Sequence, residues 1–177
     1  MIIKRVAWVI TGAGHFLREC IDIVTEYKSD INLFASRAGL EVVKMYGLYD
    51  HLLKYDINII NDDSASSASC GGFAAGRYSV LVIAPATSNT VAKCALGIAD
   101  SLPTNLFAQA GKSKVPILVL PSDVSYEIES VTPSGKRIMV YPRPIDIRNV
   151  DMLRSFPGVT VIDDVEKLRS CLGPYIP

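Results

Sequence analysis

The sequence lacks most features that mark a secreted, membrane-bound, metal-binding or nucleic-acid-binding protein. Its four cysteines, Cys20, Cys70, Cys94 and Cys171, stand far apart and form no Cys-x-x-Cys pair. Neither a zinc site nor an iron–sulfur run is read from them, and reduced thiols in a cytoplasmic protein are the expectation. The opening MIIKRVAWVI is apolar, but basic residues interrupt it, so it reads as a strand rather than a secretory leader. No run approaches the ~20 apolar residues that a membrane span requires. An excess of one charge sign is missing too: 18 Lys plus Arg balance 18 Asp plus Glu. Nucleic acids and anionic membrane surfaces reward clustered positive charge, so neither is an expected partner. There is no internal repeat and no dividing linker. The 177 residues read as one domain, 1–177, long enough to bury a core without staples.

What is present is apolar residue, 49% of the chain, high for a small domain with no membrane span. Either the core is unusually apolar or part of the surface is covered by other copies, and the composition favours a homo-oligomer. Short β-branched runs alternate with longer helical stretches, which is the pattern of a parallel sheet with helices on both faces. Strands are expected at Val6–Ile10, Ile31–Ala35, Ser79–Ala84 and Val115–Leu120. Helical periodicity follows the first, with Phe16, Cys20, Ile23 and Val24 inward and Arg18, Glu19 and Asp22 outward. Leu40, Val43 and Met45 suggest another helix. From about Ser88 a helix carries Val91, Ala92, Ala95, Leu96 and Ala99 inward. Further on come a hairpin about Ser134-Gly135, a helix over Asn149–Ser155, a strand at Val159–Ile162 and a closing helix, Val165–Cys171. The expected fold is a three-layer αβα, Rossmann- or flavodoxin-like parallel sheet with a short C-terminal hairpin and helix. The stretch 62–77, DDSASSASCGGFAAGR, reads as a long loop, either flexible or shaped around a ligand.

In such a sheet, ligands bind beyond the carboxyl ends of the strands where strand order reverses. That selects Gly12–His15, Ser36–Gly39, Pro85–Thr90 and Pro121–Asp123. The first loop has a G-x-G, but the third glycine of a dinucleotide fingerprint falls on Leu17, and no acidic residue ends the second strand. Ser36 and Arg37 stand there instead, suited to a phosphate. The 2′-phosphate of NADP and a plain helix cap at Ser36 are the alternatives. The third loop, Pro85-Ala86-Thr87-Ser88-Asn89-Thr90, puts three hydroxyls and an amide at a helix start. One would suffice as a cap; four supply partners for a ligand rich in hydroxyl, phosphate and carbonyl groups.

The segment PATSNTVAKCALGIADSLPTN resembles the PASANT segment of the homo-oligomeric flavin-containing cysteine decarboxylase family, and the T-G-A-G start and the serine after the second strand fall where that family has its other FMN loops. AWVITGAGHFLREC and RPIDIRNVDMLRSFPGVTVI resemble its archaeal flavoprotein and dihydromethanopterin reductase branch. The resemblance implies FMN at a subunit interface in trimers or multiples of them. It implies that Gly12, Ala13 and Gly14 line the phosphate and ribityl chain and that Ser36 binds the phosphate; the residues themselves add Arg37 beside the phosphate and His15 at the flavin edge. Thr87, Ser88, Asn89 and Thr90 then contact phosphate, ribityl chain and ring, with Pro85 and Ala86 beside the isoalloxazine. Two departures argue against decarboxylation. Ser69-Cys70-Gly71-Gly72 stands where the decarboxylases have a histidine, with His51 too far upstream to replace it, and Pro121-Ser122-Asp123-Val124 replaces their Met-Asn clamp. The expected function is FMN-dependent electron transfer or oxidoreduction, with a pterin such as dihydromethanopterin as substrate or a ferredoxin-like redox partner. A flavin prenyltransferase and an NADP-binding or non-catalytic nucleotide-binding protein are the rivals. His15, Ser122 and Asp123 are the candidate catalytic positions, and His15 reads equally well as a solvent-facing residue at a helix start.

Overall fold

Eight strands appear in the computed structural model: β1 (Arg5–Ile10), β2 (Ile31–Ala35), β3 (Ile59–Asn61), β4 (Tyr78–Ala86), β5 (Ile117–Pro121), β6 (Ile128–Val131), β7 (Arg137–Val140) and β8 (Val159–Val161). The structure describes residues 4–61 and 66–176, the first four of the second stretch by backbone alone. Six strands form one sheet in the order β3-β2-β1-β4-β5-β8, every pair parallel. The chain builds outward from β1 through β2 and β3, then returns to the other side of β1 to lay down β4. The order therefore reverses between β1 and β4, and the two loops leaving those strands diverge to opposite faces.

Burial on both faces explains the apolar strands. Val6, Trp8 and Ile10 of β1 pack against α1 (Leu17–Glu26), α2 (Arg37–Met45), α3 (Tyr49–Lys54) and α8 (Val165–Leu172). Ala7 and Val9 face the opposite layer of α4 (Ser66–Ala74), α5 (Ser88–Ala95), α6 (Leu102–Lys112) and α7 (Pro144–Arg154). Each fully buried Val, Leu or Ile contributes about 1.5–3 kcal/mol to this three-layer arrangement. β6 and β7 form a separate antiparallel hairpin, turned at Gly135 with φ +84°.

Several expectations are corrected. Residues 66–74 are helix rather than loop; residues 62–65 lie outside the described residues. Two glycines in that helix are tolerated because the packing needs one of them: a Cβ on Gly72 would strike the Tyr78 ring, which lies 4.9 Å from the Phe73 ring between centroids. α5 ends at Ala95, and Leu96 is 64% exposed rather than inward; Ala99 is exposed as well. The cause is Gly97 at φ +72°. Ile98 N–H donates to Lys93 O (2.8 Å) and Gly97 N–H to Cys94 O (3.2 Å), a Schellman stop. Helix α1 starts at Leu17, so Phe16 is its cap in the left-handed region rather than a helical residue, while still packing against the same core as Cys20, Ile23 and Val24. α7 begins earlier than expected, at Pro144. Helices α3 and α6 and strand β3 were not foreseen. α6 had a visible start signal, Ser101-Leu-Pro-Thr104, whose Ser101 N–H donates to Thr104 Oγ1 at 3.0 Å.

Gly39 in α2 touches β1: a Cβ there would collide with the carbonyl oxygen of Ile10. Backbone cannot swing aside as a side chain can. We expect Gly39→Ala to destabilise the protein by about 1–3 kcal/mol, read as a lowered midpoint in chemical denaturation. An unchanged midpoint would refute this close contact.

Candidate functional site

All four loops selected from the sequence lie along the carboxyl edge of β1, β2, β4 and β5, and short backbone links tie them together. Ser36 N–H donates to Ile10 O at 3.0 Å, and Ser122 N–H to Ala86 O at 2.8 Å. The central link was not foreseen. Thr11, 1% exposed, donates from its hydroxyl to Pro85 O (2.8 Å) and accepts from Thr87 N–H (2.8 Å). One side chain thus fixes the 85–90 loop against the 12–15 loop. Its only trace in the sequence is a polar residue closing an apolar strand.

Helix α5 opens at the resulting junction. Thr87 is its cap, accepting from Thr90 N–H at 3.2 Å, and the two hydroxyls lie 3.0 Å apart. Their side chains are therefore committed largely to the helix. Ser88 is half-buried and Asn89 exposed, and among the described residues neither side chain is hydrogen-bonded within the chain. The open donors of this loop are one hydroxyl, one amide and the first backbone N–H groups of α5. Ser36 caps α2, accepting from Gly39 N–H at 3.0 Å, so the capping alternative is realised there. Arg37 is exposed and pairs with Glu41 at 3.6 Å. Gly12 and Gly14 answer first to the chain's own packing. A Cβ on Gly12 would lie 2.8 Å from Ala38 Cβ, and one on Gly14 would strike the Tyr46 hydroxyl.

The helix starts of α1, α2 and α5 share one edge, and their backbone N–H groups favour anions. With Ser36, Ser88 and Asn89 beside them, the donor set suits a phosphate on a polyhydroxyl chain that ends in a ring with carbonyl groups. Ala13 is buried, with its N–H on Thr11 O at 2.9 Å. Cys94, on the inner side of α5, has its thiol pushed up to about 12 by burial; it stays protonated and offers no nucleophile.

A cleft of about 340 Å³ opens beside this junction, between the start of α1 and the β6–β7 hairpin, and its walls include Gly14, His15, Glu19, Tyr46 and Val131. Tyr46 holds the hairpin in place by donating to Val131 O at 2.8 Å. Phe16, at φ 64°, occupies a backbone region that costs a bulky residue about 1–3 kcal/mol, and its ring lies 3.8 Å from that of His15. Burial lowers the His15 pKa below its ordinary value, while Glu19 and then Asp123 pull it back up. Asp123 also feels the charge of Arg143, whose guanidinium grips the buried Asp146 at 2.8 and 3.0 Å. The charge of Asp123 thus reaches His15 from the loop after β5. Ser122 is buried. Tyr46, Glu19 and Arg143 were not anticipated, because sequence spacing carries no record of which hairpin or helix start faces the loop. His51 stacks on Tyr55, 4.9 Å between centroids, on α3.

Comparison with known proteins fits this geometry. The family model described as Flavoprotein matches residues 2–174. A dihydromethanopterin reductase (acceptor) of Methanosarcina mazei is 32% identical, over 95% of this chain and 98% of its own. The crystal structure of Burkholderia xenovorans DmrB in complex with FMN, described as a cubic protein cage for redox transfer, is 38% identical, with a TM-score of 0.86 over 97% of this chain and 94% of that one. The FMN-dependent cysteine decarboxylase TvaF of thioviridamide biosynthesis is 18% identical, with a TM-score of 0.66 over 97% of each chain; it shares the fold.

Thr11→Val keeps the shape and removes the hydroxyl, leaving the Thr87 N–H without its acceptor at a cost of about 1–3 kcal/mol. We expect a lowered denaturation midpoint; one equal to the unsubstituted protein would show that the bridge is not needed. For His15, NMR titration should give a midpoint below 6.5, its ordinary value, and Glu19→Gln should lower it further. The unfolded chain takes up this proton first, so His15 removes stability as pH falls through 6.5 toward the lower native value. A midpoint at or above 6.5 would contradict the burial.

Proposed function

We infer the function from one premise: the chain belongs to the Flavoprotein family. It binds FMN and acts as an FMN-dependent oxidoreductase. The observation that carries this reading is the junction of the β1 and β4 loops. There Thr11 locks the start of α5 beside the start of α1 and leaves Ser88 and Asn89 open. Bound FMN supplies the two-electron chemistry; the residues supply position, water exclusion and charge.

Ser36 and the first N–H groups of α2 are proposed to hold the phosphate, with Arg37 adding positive charge from outside. Gly12, Ala13 and Gly14 line the ribityl chain. Ser88 and Asn89 bind ribityl and ring oxygens, while Thr87 and Thr90 hold the loop that presents them. Pro85 and Ala86 form the surface beside the ring. His15 is mostly neutral at pH 7, because burial holds its pKa down. Its ring can therefore carry one N–H and one acceptor nitrogen toward a reacting group, with Asp123 steadying a passing positive charge. Hydride transfer needs close stacking of donor and acceptor more than a strong acid, so positioning is the chain's main contribution. A reduced pterin related to dihydromethanopterin is the proposed acceptor, in keeping with the M. mazei relative. A ferredoxin-like donor is the proposed partner. The relatives described above favour this reading over a flavin prenyltransferase or an NADP-binding protein.

Assembly follows the same logic. Asn89 of the 85–90 loop is exposed, and so are Leu96 and Ile98 just beyond α5. A trimer, or a multiple of trimers, would cover both; the DmrB relative is described as a cubic cage. Among the described residues no helix is long and apolar enough to cross a membrane, and a cytoplasmic location is proposed.

Purified protein should absorb as a flavoprotein and release FMN on denaturation, identified by chromatography. Asn89→Ala should weaken FMN binding by about tenfold, the loss of about one hydrogen bond to a polar ligand. The reduced protein should be reoxidised by a dihydropterin and should release no carbon dioxide from peptides ending in cysteine. Protein that stays colourless after incubation with FMN would overturn the cofactor, and carbon dioxide release at a catalytic rate would overturn the reaction.

A further inference from the structure

We propose that the cleft between the start of α1 and the β6–β7 hairpin seats the pyrimidine ring of a reduced pterin, with the Glu19 carboxylate accepting the two parallel N–H groups of its 2-amino-4-oxo edge. This rests on the reductase reading above and names the residue that selects the acceptor. The cleft shares Gly14 and His15 with the junction at β1, so a ring lying in it stands next to the proposed FMN position. Its volume, about 340 Å³, is at the small end of ligand sites, about 300–1,000 Å³; it suits a bicyclic ring rather than a folded partner.

The walls carry the argument further. Phe16, Tyr46, Val131 and Pro133 give flat or apolar surfaces, and the Tyr46 bond to Val131 O fixes their spacing. Two carboxylates and the Arg18 guanidinium line the cleft. Glu129 is committed to Arg137 at 3.0 Å, whereas among the described residues Glu19 has no ion pair. Glu19, in the first turn of α1, lines the cleft together with His15 and acts on its charge. Arg18 offsets the charge of Glu19 in the same cleft, so selection rests on the hydrogen-bond pattern. The Glu19 carboxylate matches a ring that offers an amino N–H and an amide N–H side by side, because both carboxylate oxygens then accept at once.

The test uses the oxidised, FMN-loaded protein, titrated with 6-methyl-7,8-dihydropterin and separately with its 2-oxo analogue, which lacks the amino group. The unsubstituted protein should prefer the amino compound by about tenfold or more, the worth of one charge-assisted hydrogen bond. Glu19→Gln should erase that preference while FMN affinity and the flavin spectrum stay as they were. The exposed position of Glu19 and the matched shape of glutamine keep folding out of the comparison. A Glu19→Gln protein that retains the preference overturns the proposal. So does unsubstituted protein that is reoxidised by the dihydropterin yet binds both rings equally, a result that leaves the reductase reading standing. Protein that neither binds the dihydropterin nor is reoxidised by it overturns the reductase reading itself.

Discussion

The carboxyl end of β4 sets a problem that the rest of the site is built around. Pro85 brings no N–H to the sheet, and the register of β4 against β5 shifts between Ile83 and Ala86. The carbonyls of Ala84 and Pro85 are thereby left to find partners inside a dry core, where an unmet polar group costs about 1–3 kcal/mol. Both partners come from β1. The Trp8 indole donates to Ala84 O at 2.8 Å, and Thr11 donates to Pro85 O at 2.8 Å. Because these strands meet where the sheet order reverses, satisfying two carbonyls also aligns the starts of α1 and α5. The site is a by-product of backbone accounting.

Close approach does the remaining alignment. Gly39 lets α2 touch the Ile10 carbonyl, Gly12 lets the first loop settle on Ala38, and Gly14 leaves room for Tyr46. Tyr46 then reaches across to the hairpin. A motif that reads as a glycine-rich ligand loop thus owes its glycines to contacts within the chain. The groups the fold leaves unspent on this edge are the Ser88 and Asn89 side chains and the backbone N–H groups of the helix starts. Strain at Phe16 is part of the same economy, since the left-handed turn delivers His15 to the cleft.

The two sides of the junction differ in character. On one side the hairpin and α1 enclose a small cleft with uneven charge; on the other Asn89 is exposed in the 85–90 loop, with exposed apolar residues beyond it.

How much of this could be read in advance depends on the range of the interaction concerned. Strands such as Ile31–Ala35 were legible because burial on both faces writes a continuous apolar run into the sequence, and four hydroxyl and amide side chains after a buried strand announced a ligand loop. The sequence by itself determined the layered α/β class and the strands whose carboxyl ends share one edge, because each depends on neighbours along the chain. It did not reveal that residues 66–74 are helical, since two adjacent glycines argue for a loop until the Tyr78 ring claims the space beside one of them. Nor did it distinguish the hydroxyls that cap α5 from those left open, or bring Glu19, Tyr46 and the hairpin to one cleft. Those outcomes were decided by the tertiary structure alone, because they rest on groups far apart in the chain competing for the same hydrogen bonds and the same volume.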